Sequence, residues 1–186
     1  MLKSGLAAFI VVALTVGAML SAAADDARKP AISAAQIKDA PLTIAASTVG
    51  QFAKGRSWYL SVNSAGQADL TIDTFPERTV KRFEISKQQF AEFRKALAEE
   101  RFFELNGDYG QHVPDGSEDS LTVVAGQHSN TVKVRFLMNW VHSEKAKLRE
   151  PSRAVRLIVL IRGWIDVPEA VDLRKYDKMV LDAAKE

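Results

Sequence analysis

The sequence contains no cysteine, which excludes a disulfide framework, a thiolate nucleophile, a cysteine zinc site and a lipid-modified cysteine tether. Histidine is scarce. His112, His128 and His142 lack the i,i+4 or shared-loop spacing that brings two imidazoles to one metal. Glycine-rich strand-to-helix phosphate loops are missing as well, which argues against a nucleotide-binding α/β sheet. No metal and no cofactor is expected. Excess charge of one sign is also lacking: 25 Lys and Arg against 23 Asp and Glu leave +2, so no nucleic-acid partner is expected. After residue 24 the longest apolar run, Leu157 to Ile161, is closed off by Arg156 and Arg162. That is far short of the about 20 residues a membrane helix needs.

What is there is a chain of 186 residues, 47% hydrophobic and 26% charged, the composition of a globular domain. Its start reads as an address. Lys3 precedes an apolar run from Leu6 through Leu20, followed by Ser21, Ala22, Ala23 and Ala24 before Asp25 and Asp26. This is the pattern of a secretory signal peptide, with small residues where a signal peptidase needs them. The expectation is a signal peptide over 1–24, a flexible N-terminal arm over 25–40, and a single domain over 41–186, secreted or periplasmic, with no membrane span after cleavage.

Along that domain, Trp58, Leu60 and Val62 alternate with Tyr59 and Ser61. After Ser64, Ala65 and Gly66, Leu70 and Ile72 alternate with Asp69, Thr71 and Asp73, which predicts a hairpin with one wet face. A shorter strand from Thr79 to Ile85, with Phe83 and Ile85 inward, suits a sheet edge. Ser86 with Gln89 three residues on forms a capping box, and Phe90, Phe93, Ala96 and Leu97 follow at helical spacing. That Phe stripe is read as core. A second hairpin runs through Leu121 and Val123 to Gly126, then Val132, Val134, Phe136 and Met138. Pro151 fits a helix first turn, and the apolar residues from Ala154 to Ile165 cover most of that helix, with Arg153 and Arg156 on a narrow wet side. A last helix over Val171 to Ala184 follows Pro168. The predicted fold is α+β, an antiparallel sheet built from two hairpins plus extra strands, packed on one face by a central helix and C-terminal helices.

Chemistry, if present, concentrates in the loop from Asn106 to Ser120. It holds Asp108, Asp115, Glu118 and Asp119 without a cation of its own. Tyr109, His112 and Ser117 lie among them, so Asp108, Tyr109, His112, Asp115 and Asp119 are candidate binding residues. A hydrolase would use His112 as base, Ser117 as nucleophile and Asp115 as orienter. Two acids flank Ser117, however, and would oppose a developing oxyanion. Four carboxylates would also suit calcium, but the spacing is not that of an EF-hand. The plainer reading is a turn-rich connection whose acids pair with nearby bases. Two further groups deserve weighing. The cations Lys145, Lys147, Arg149, Arg153 and Arg156 alternate with Glu144 and Glu150 and read as a solvated linker and helix start. Tyr59, Asp69, Thr71, Asp73, Lys133 and Arg135 point outward from predicted strands and could form one mixed polar face.

The linear order carries a resemblance. A turn at Gly66, a helix opened by Ser86, Phe102-Phe103-Glu104-Leu105, Asp108-Tyr109-Gly110, Asp115-Gly116, a hairpin, and Pro151 before an apolar helix resemble a broad group of small exported bacterial proteins with a domain of unknown function. The likeness covers Ser57 to Asp166 and implies secretion and an α+β fold, with no catalytic residues to carry over. The basic segment before Pro151 departs from the pattern. The functional expectation is a non-catalytic binding domain for an unknown protein or extracellular ligand, with a small hydrolase or a calcium-stabilised module built on the 106–120 loop as alternatives.

Overall fold

Two serines open helices by the same device. Ser86 Oγ accepts from the Gln89 backbone at 3.2 Å while Gln89 Oε1 accepts from the Ser86 backbone at 3.0 Å. Ser33 and Gln36 repeat the exchange at 3.2 and 2.9 Å. Each pair satisfies two donors that a helix start leaves without intrahelical partners. The resulting helices are α1 (Ala34–Asp39) and α2 (Lys87–Glu99). The computed structural model describes residues 32–50, 57–74, 76–110, 116–135 and 149–165. Among the described residues no helix is long and apolar enough to cross a membrane.

Among the described residues seven strands make one sheet: β1 (Leu42–Val49), β2 (Ser57–Val62), β3 (Gln67–Thr74), β4 (Glu77–Glu84), β5 (Asp108–Tyr109), β6 (Glu118–Ala125) and β7 (His128–Arg135). The spatial order is β4-β3-β2-β1-β6-β7-β5. Every pairing is antiparallel except β5 with β7, which is parallel. With α1, α2 and α3 (Arg149–Arg162) this is an α+β architecture in which the sheet dominates.

Period-two alternation decides which side of the sheet is buried. Leu42, Ile44 and Ala46 of β1, Leu60 and Val62 of β2, Leu70 of β3, Leu121 and Val123 of β6 and Val132 of β7 share one core with Phe93 and Leu97 of α2 and Leu157, Ile158 and Ile161 of α3. Phe93 meets Trp164, just beyond α3, edge to face at 5.2 Å between ring centroids, a favoured aromatic geometry. A short 3-10 turn, Phe102–Glu104, follows α2. Buried Asn130 of β7 ties it down, donating from Nδ2 to the Phe102 carbonyl at 2.7 Å and the Leu105 carbonyl at 3.2 Å.

Three findings differ from the sequence reading. Within the expected arm, residues 34–39 form α1, and Ile37 is part of the core. Arg94 of α2 donates to the Ile37 carbonyl, which fastens α1 to α2. Leu42 to Val49, at the start of the expected 41–186 domain and without a predicted strand, is a strand paired on both sides, with β2 and with β6. Arg153 and Arg156 are not a solvated margin. Arg156 binds Glu100 through Nε at 2.6 Å and Nη2 at 2.7 Å, and Arg153 donates to the Glu100 carbonyl. This fork joins α3 to the C-terminal end of α2. The signal peptide, Phe136 and Met138 of the second hairpin, and the helix expected over Val171 to Ala184 lie outside the described residues.

Candidate functional site

The described helices contribute to the core on one side of the sheet, so chemistry on the other side depends on what the strands present outward. Register sets two neighbouring rows there. In one, Thr71, Tyr59, Ser47, Ser120 and Lys133 lie side by side across β3, β2, β1, β6 and β7. In the other, Arg82, Asp69, Ser61, Ala45, Thr122 and Thr131 run from β4 to β7.

The middle of both rows is built from small side chains, and that leaves a depression. Ala45, Ser47, Ser61, Ser120 and Thr122 line a cavity of about 310 Å³ together with Tyr59, Asp69 and Thr71. The volume falls at the lower end of small-ligand sites, about 300–1,000 Å³. Tyr59 stands beside it with 43% of its surface exposed. Thr122 and Thr131 share a hydroxyl hydrogen bond at 2.9 Å.

Charge borders this depression on both flanks and is neutralised on each. Asp69 accepts from Arg82 Nε at 2.8 Å, and Asp73 lies 3.5 Å from Arg78 Nε. On the opposite flank Glu118 accepts from Lys133 Nζ at 3.2 Å and Arg135 Nε at 2.9 Å, and Asp108 accepts from Arg135 Nη1 at 2.5 Å. The hydrogen bond that Arg135 donates to Asp108, with the charges of Asp108 and Glu118, raises the Arg135 pKa above its ordinary value against the opposing effect of burial. The outward residues Tyr59, Asp69, Thr71, Asp73, Lys133 and Arg135 thus share one face.

The 106–120 stretch does not stay a single loop. Asp108 and Tyr109 form β5, with Asp108 exposed on the outer face and Tyr109 buried against the core. Glu118 and Asp119 begin β6 and therefore point to opposite faces. Asp119 is 1% exposed. It accepts from Thr48 Oγ1 and from Arg162 Nη2 of α3, and Arg162 also lies 3.2 Å from Thr48 Oγ1. Opposite Thr48 in register is Trp58, whose buried Nε1 has no acceptor among the described residues. Three of the four carboxylates proposed for calcium are therefore divided between two faces and bound to arginines. Ser117 is half-buried just before β6. His112, Asp115 and His142 lie outside the described residues. His128 is half-buried, its ring 6.3 Å from that of Phe103. Among the described residues no group of three or more His, Asp or Glu is placed to hold a metal ion.

Sequence reasoning missed the depression itself. Its floor comes from β1, whose Ala45, Ala46 and Ser47 give little contrast in polarity, and from Ser120, read as loop. The clue was the run of small residues in a segment that still alternates at Leu42, Ile44 and Ala46. No protein-family model matches the chain, and no curated protein matches it significantly.

Proposed function

We propose that this protein is an exported, non-catalytic binding domain that takes its ligand on the face of the sheet that no described helix covers, over β1, β2, β3 and β6. The observation that carries the proposal is the cavity of about 310 Å³ on that face, floored by small side chains and flanked by Tyr59 and by internally neutralised charges. Rigid strands fix the spacing of its hydroxyls and of Tyr59, as a preorganised site requires. Export rests on residues 1–24, and kinship with the small exported bacterial domains of unknown function rests on the motifs quoted for it. The division of Asp108, Glu118 and Asp119 between two faces, each bound to an arginine, favours this reading over a calcium module built on the 106–120 stretch.

The test is a photo-reactive benzophenone amino acid in place of Ser61, inside the depression, compared with one in place of Lys95, exposed on α2. In cells producing the exported chain, adducts are expected from position 61 and not from 95. Equal labelling from both positions, or none from 61, contradicts the proposal.

A further inference from the structure

We draw no further inference here: the strongest candidate, the buried inner-face cluster of Thr48, Asp119 and Arg162 with the Trp58 indole beside Thr48 in register, is a tie between α3 and the sheet whose charges neutralise one another, and nothing among the described residues shows what the indole N–H would bind.

Discussion

Arg162, in the last turn of α3, is bound to Asp119, on the inner face of β6, and both side chains are almost completely excluded from solvent, at 3% and 2% exposure. The pair fixes where α3 lies on the sheet, because neither charge can rotate away without losing the other in a medium that solvates it poorly. Thr48 of β1 completes the cluster. β1 therefore contributes to both sides of the sheet, anchoring α3 on one and flooring the depression on the other.

Removing one partner of this pair leaves a buried charge without compensation. Arg162→Ala is expected to cost about 3–5 kcal/mol, read from urea unfolding. Replacing both groups, as Asp119→Leu with Arg162→Met, should recover most of that loss. A double variant as unstable as the sum of the two singles would show that the pair is not coupled.

Asn130→Ala tests the tie between β7 and the turn after α2. The carbonyls of Phe102 and Leu105 both lose a donor, and the expected cost is about 1–3 kcal/mol. Ser129→Ala, next along the strand and exposed, should stay within about 0.5 kcal/mol. Equal effects of the two would contradict this role for Asn130.

At Gly66 the backbone has φ +85, and an added Cβ would meet the Ile85 carbonyl at 3.1 Å. The Gly66 carbonyl in turn accepts from Ile85 at 2.8 Å. Gly66→Ala should therefore destabilise by about 1–2 kcal/mol, visible as a lower urea midpoint with an unchanged slope. An unchanged midpoint would contradict the strain argument.

The Glu100 fork should show no alkaline loss in the accessible range. Hydrogen bonding to Glu100 raises the Arg156 pKa above its ordinary value, against the opposing effect of burial. A raised folded-state pKa means the contribution is fully present below the unfolded value and is lost only as pH rises through the higher one. The stability difference between wild type and Arg156→Ala should be constant from about pH 7 to about pH 10. A difference that shrinks over that interval would contradict the assignment.

The elements that were legible in the sequence share one property, strong contrast at a fixed period. β2 alternates Trp58, Leu60 and Val62 with polar neighbours, and α2 carries both its Ser86 capping box and its Phe stripe. β1 has no such contrast, because Ala and Ser are read alike whether they face the core or solvent. The same capping signature at Ser33 and Gln36 was present, but α1 has only Ile37 in the core, too little to mark an amphipathic helix. Of the candidate site residues, the outward set including Tyr59, Asp69 and Thr71 followed from alternation alone. Which of them surround a cavity depended on long-range pairing of β1 with β6. The loop reading of Asp108 and Asp119 failed for the complementary reason: their arginine partners, Arg135 and Arg162, are distant in sequence.

The central claim, that the outward sheet face over β1, β2, β3 and β6 holds the ligand, is tested most directly by filling the depression. Ala45→Trp places an indole on the floor of the cavity, on an outward position where the core is untouched. With the benzophenone at position 61 kept in place, this substitution should abolish labelling in cells while the unfolding midpoint stays near that of the parent. Undiminished labelling in a folded Ala45→Trp protein would contradict the account.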